Sequence, residues 1–254
     1  MARRAALQSK GTLQGPAGSA WAPQKPLAKS PDKATVSVKV CCISSVAEAR
    51  LAASAGAAAL GLVSSMPSGP GVISDATVAE IAAAMRGLPV RTFLLSARTD
   101  ADAIAAQHAA AGTSTLQLVD AVPLQQLRRL RGLCAGVELV QVIHVLDETS
   151  LAQALDAAPW VDALLLDSGN PTLAVKQLGG TGRTHDWSLS RRIRDAVFPL
   201  PLWLAGGLHA GNVAQALEQV RPHGVDLCSR VRVDGHLDAA LLRAFISAVS
   251  AAQG

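Results

Sequence analysis

The 254-residue sequence predicts a (β/α)8 barrel in a single domain that follows a disordered N-terminal extension. Three observations carry this. From Thr35 onward, short β-rich runs alternate eight times with Ala- and Leu-rich segments of helical period. The runs are apolar throughout rather than alternating, as expected of parallel strands covered on both faces. The units are also nearly even in length, which favours a closed barrel over an open doubly wound sheet.

Residues 1–34 hold Arg3, Arg4, Lys10, Lys25, Lys29 and Lys33 against one acid, Asp32, a charge of +5. Gly, Pro and Ser are frequent there and no hydrophobic period is sustained, so little surface could be buried to offset ordering entropy. A disordered basic tail over 1–34 is the first reading and a transit peptide the second. The body, 35–254, carries 17 basic and 18 acidic residues, so it offers no basic face for nucleic acid.

In chain order, the strands are expected at 36–40, 59–63, 89–95, 115–119, 137–145, 162–166, 201–205 and 224–228. The helices between and after them are expected near 45–55, 75–86, 99–111, 123–131, 147–157, 188–197, 210–220 and 237–252. Ser74-Asp75, Thr99-Asp100 and Asp147 supply helix starts, because their side-chain oxygens can accept from free first-turn N–H groups. With three Phe, four Trp and no Tyr, the core must be aliphatic.

Charged residues or Pro interrupt the apolar runs well short of the ~18 residues that span a membrane, so no membrane partner is expected. The cysteines, Cys41, Cys42, Cys134 and Cys228, form no CxxC pair, so no metal site is expected. With no secretory apolar region after Met1, the chain reads as cytoplasmic, with free thiols. Oligomeric state is not legible.

A barrel of this kind places its active site where strands end and βα-loops begin. After the first strand stand Cys41 and Cys42. A thiol there is a base or nucleophile if a neighbouring cation favours its ionised form, and otherwise a small buried apolar group. After the sixth strand, three leucines lead to Asp167. A carboxyl among aliphatic groups retains its proton more readily, which suits a general acid, while loop capping is the plainer role. The next loop contains Gly179, Gly180 and Gly182, whose backbone can approach a ligand closely. Gly206 and Gly207 follow the seventh strand, and Ser229 and Arg230 the eighth, the usual place for a phosphate site in such barrels.

Together these residues resemble the phosphoribosylanthranilate isomerase family over about Val38–Phe245. The stretch 178–187 (LGGTGRTHDW) is similar to that family's GGTGxxFDW loop, and Lys39-Val40-Cys41 to its opening KxCG motif. The sequence 204–208 (LAGGL), Asn212-Val213 and 224–226 (GVD) extend the likeness. The resemblance implies an Amadori rearrangement of N-(5′-phosphoribosyl)anthranilate without metal or cofactor, in tryptophan biosynthesis. It implies Asp167 as general acid, Cys41 as general base, and a phosphosugar held near Gly180, Gly182, Gly206, Gly207, Ser229 and Arg230. Four departures stand out. Cys42 replaces the family's glycine, 65–71 (SMPSGPG) lacks its SPR arginine, 117–120 (QLVD) replaces QLHG, and 229–232 (SRVR) replaces SGVE. An isomerase-like barrel for another phosphosugar and a non-catalytic phosphometabolite-binding protein are the alternatives.

Overall fold

The computed structural model describes residues 35–67, 69–170, 173, 176, 178, 182 and 184–253. The expected tail, 1–34, lies outside the described residues. Eight strands form one closed parallel barrel in sequence order. They are β1 (Ser37–Val40), β2 (Ala59–Val63), β3 (Arg91–Ser96), β4 (Thr115–Leu118), β5 (Glu138–His144), β6 (Ala163–Asp167), β7 (Leu202–Leu204) and β8 (Gly224–Leu227). Closure comes from β8 pairing with β1, where Lys39 is in register with Asp226 and Val40 with Leu227.

Among the described residues, eight α-helices surround this barrel: α1 (Val46–Ser54), α2 (Asp75–Ala84), α3 (Ala101–Ala111), α4 (Leu124–Leu133), α5 (Thr149–Ala157), α6 (Trp187–Val197), α7 (Val213–Val220) and α8 (Ala239–Ala251). The expected starts of α2, α3 and α5 are present. Ser74 and Asp100 accept from the N–H groups of Thr77 and Ala103, and Asp147 accepts from Thr149 N–H. Ser45, Asp186 and Asp238 cap α1, α6 and α8 in the same way. Each such cap contributes on the order of 1 kcal/mol.

Two apolar regions result from strands that are buried on both sides. The outer one lies between barrel and helices and is built largely from Leu, Ile, Val and Ala. The inner one fills the barrel, with Ala59, Phe93, Val140, Ala163, Leu165 and Trp203 among its members. Near the N-terminal ends of the strands, Phe93 and Trp203 meet edge to face with centroids 5.9 Å apart. The indole fits because β8 begins with glycine: a Cβ on Gly224 would stand 2.5 Å from the Trp203 ring. Filling one end of the barrel with these rings leaves the other end for a site.

The structure after β8 was not expected. After β8 the chain makes a short 3-10 turn, Ser229–Val231, and then a two-stranded hairpin, β9 (Arg232–Val233) with β10 (His236–Leu237). Strands this short have too few residues to show a period. Among the described residues, no helix is long and apolar enough to cross a membrane.

Candidate active site

The strand ends converge on a cavity that is open to solvent. Of the residues singled out from the sequence, Cys41, Asp167, Gly182, Gly206, Gly207 and Ser229 all line it. Arg230 does not line this cavity and is exposed. The turn Ser229–Val231 explains this, since it buries Val231 and leaves Arg230 outside. Gly180 lies outside the described residues.

Asp167 is the last residue of β6 and is buried. Its Oδ1 accepts from Ser168 N–H at 2.7 Å, which orients the carboxyl at the strand tip. Cys41 lies one residue beyond β1, buried to 7% exposure, and is a free thiol. Burial pushes its pKa up to about 11, because a thiolate there would lose hydration. The Lys39 ammonium acts against that rise, and the Asp226 and Asp167 carboxylates act with it.

The expectation of four free thiols is corrected for two of them. Cys42 and Cys228 form a disulfide, leaving Cys41 and Cys134 free. The partners are 186 residues apart in sequence, but β1 and β8 are neighbours, so barrel closure brings them together. Cys42 also has φ +62°, a left-handed conformation usual for glycine, at the position where the family's glycine was replaced. Its sulfur is tied to Cys228, so it neither shares a proton-transfer role with Cys41 nor remains a free thiol.

Gly206 and Gly207 follow β7 with φ +86° and +63°. Two consecutive left-handed residues make the tight turn that brings backbone against the cavity. Neither N–H has a hydrogen-bond acceptor among the described residues. Asn212 holds this turn: its Nδ2 donates to Gly207 O at 3.1 Å, and its Oδ1 accepts from His209 N–H at 2.8 Å.

Sequence reasoning missed Gln117 and Asp226, which also line the cavity. It missed Lys39 as well, which is 0% exposed and donates to Asp226 Oδ2 at 2.8 Å. The available signal was a lysine within an apolar strand, two residues before Cys41 and therefore on the same face. His144, the last residue of β5, bonds to Val119 O at 3.0 Å and does not line the cavity. Among the described lining residues there is no lysine or arginine.

Residues 38–248 match the family described as N-(5′-phosphoribosyl)anthranilate (PRA) isomerase. The chain is 36% identical over 219 residues to the N-(5′-phosphoribosyl)anthranilate isomerase of Haloferax volcanii, covering 85% of this chain and 94% of that protein. Among solved structures it is similar to phosphoribosyl anthranilate isomerase from Thermotoga maritima, at 27% identity and TM-score 0.72, over 85% of this chain and 99% of that one. It is also similar to a phosphoribosyl anthranilate isomerase in complex with reduced 1-(o-carboxyphenylamino)-1-deoxyribulose 5-phosphate. That match has 25% identity and TM-score 0.70, with the same coverage.

Proposed function

The chain belongs to the N-(5′-phosphoribosyl)anthranilate isomerase family, and we infer that it carries out the isomerase step of tryptophan biosynthesis in the cytoplasm. The reaction is the Amadori rearrangement of N-(5′-phosphoribosyl)anthranilate to 1-(2-carboxyphenylamino)-1-deoxyribulose 5-phosphate. The observation that carries this reading is that one cavity is lined by both a free thiol, Cys41, and a carboxyl, Asp167.

The two groups divide the work. Asp167 protonates the ribose ring oxygen, so the C1–O bond breaks and a Schiff base forms between C1 and the anthranilate nitrogen. Cys41, as thiolate, takes the proton from C2. The C–H electron pair becomes the C1–C2 double bond, the C1–N π pair returns to nitrogen, and the enolamine tautomerises to the ketose. General acids and bases of this kind each contribute ~10²–10⁴-fold. The phosphate is held by the left-handed turn at Gly206-Gly207, with Gly182 and Ser229 beside it. Its binding energy orients the sugar between acid and base.

Freshly prepared phosphoribosylanthranilate should be turned over by the pure protein. Asp167→Asn and Cys41→Ala should each lower kcat at least ~100-fold. No turnover by the wild-type chain, or full activity in either variant, would overturn the assignment.

A second reading has one observation behind it: the described lining lacks a cation for the anthranilate carboxylate. A phosphosugar without a carboxylated ring would not need one. Competition between anthranilate-bearing and plain ribose-phosphate analogues separates the two readings, because the first predicts that the aromatic acid strengthens binding.

A further inference from the structure

We propose that the buried Lys39–Asp226 pair sets the charge state of Cys41, with Lys39 as the positioning residue that makes the thiolate base accessible. The proposal rests on the reading of Cys41 as the base, and deepens it.

The geometry begins in the strand register. Lys39 lies opposite Asp226 across the β1–β8 seam, and Cys41 lies two residues beyond Lys39 on the same face. The Lys39 ammonium is 0% exposed, donates to Asp226 Oδ2 at 2.8 Å, and sits 5.4 Å from the centroid of the Phe93 ring. An ammonium has three N–H donors, and the carboxylate accounts for one. On the side facing β2 stands the Cys41 sulfur. Cys41 Sγ and Lys39 Nζ lie 2.7 Å and 3.0 Å from the point that a Cβ on Gly61 would occupy. Gly61 therefore leaves the room in which cation and sulfur share one pocket. Asp226 lines the cavity, and its Oδ1 has no hydrogen-bond partner among the described residues.

The charges act in opposite directions. Burial opposes a thiolate, Lys39 favours it, and Asp226 and Asp167 disfavour it. Also near this segment is Arg232, which donates to the Cys41 and Cys42 carbonyl oxygens and is paired with Glu48. Lys39 itself stays protonated. Burial alone would lower its pKa, but the Asp226 carboxylate and Cys41 outweigh that and raise it. Throughout the reaction Lys39 remains a cation. The thiol loses its proton to solvent before the base step, and regains one from substrate C2 during that step.

Opposite charges predict opposite outcomes, which a merely structural role does not. The ionisation of Cys41 is read from thiolate ultraviolet absorbance against pH in substrate-free enzyme, with Cys41→Ser as the blank. The near-isosteric Lys39→Met should move the midpoint up by at least about one pH unit, and Asp226→Asn should move it down. The ascending limb of kcat/KM against pH should follow in each case, with KM within about threefold of wild type, and Lys39→Arg should restore part of the wild-type position. Near-ultraviolet circular dichroism checks folding. Should Lys39→Met not fold, the downward shift in Asp226→Asn still decides. An unmoved midpoint in Asp226→Asn, or two variants moving in the same direction, overturns the proposal. If instead the absorbance midpoints move as expected while the rate profiles do not follow, Cys41 is not the base, and it is the mechanism above that fails.

Discussion

Two neighbouring cysteines have opposite fates because each faces a different neighbour. Cys41 keeps a free sulfur in the cavity, while Cys42 takes a left-handed backbone and is joined to Cys228. His185 shows the same dependence on surroundings. It stands where the family's loop has phenylalanine, and burial pushes its pKa down to about 4, because the charged ring would lose hydration. It is therefore neutral from pH 6 to 8, and the pH–rate profile should show no inflection near the ordinary histidine value of about 6.5. His185→Phe should keep kcat/KM within about threefold. A lost acid limb in that variant would instead give His185 a proton-transfer role. Cys41 and Asp167 were legible in the sequence because each directly follows or ends an apolar run, and a strand end is easy to find. The partnership of Lys39 with Asp226 was not, because 187 residues separate them and only closure of the barrel places them in register.

At the scale of elements, the eight barrel strands and the eight α-helices described around them could be found from composition and period, and their ends differ from expectation by only a few residues. What could not be read was how the loop after β8 is secured. Glu48, in the first turn of α1, accepts from Arg232, from Leu237 N–H at 2.9 Å and from Ser44 N–H at 3.0 Å. It thereby ties α1 and the segment after β1 to the β9–β10 hairpin. Arg232 in turn donates to the Cys41 and Cys42 carbonyls, so the same link steadies the backbone that carries the Cys41 thiol. Burial alone would raise the Glu48 pKa, but these hydrogen bonds outweigh it and hold the carboxyl below its usual range. A carboxylate depressed in the folded state adds stability that is full above its unfolded value of about 4.3 and is lost as pH falls through its lower folded value. Glu48→Gln should cost about 1–3 kcal/mol at pH 7 in urea unfolding, and the difference from wild type should shrink toward acid. A cost that is constant with pH would mean that packing, rather than charge, makes the link.

At the scale of the whole molecule, closure decides what the parts can do. The β8–β1 seam pairs Cys42 with Cys228 and Lys39 with Asp226, and it places the turn after β8 beside the thiol from β1. Asp167 arrives from the far side, on β6, and the Gly206-Gly207 turn arrives from β7. Aromatic rings fill the opposite end of the barrel and leave this end open as the cavity. Residues 65–71 differ from the family's pattern in the sequence, and the described part of that loop brings Met66, Gly69 and Pro70 to the cavity. The glycine turn after β7 was thus more legible than the loop after β2, since glycine turns announce themselves and an altered loop does not reveal what it binds. The most direct measurement is a crystal structure with reduced 1-(o-carboxyphenylamino)-1-deoxyribulose 5-phosphate bound. The account predicts the Cys41 sulfur near C2 and an Asp167 oxygen near the former ring oxygen, each within about 3.5 Å and on opposite faces of the sugar chain, with the phosphate at Gly206-Gly207. A ligand bound with either group turned away from the sugar, or with its phosphate elsewhere, would contradict it.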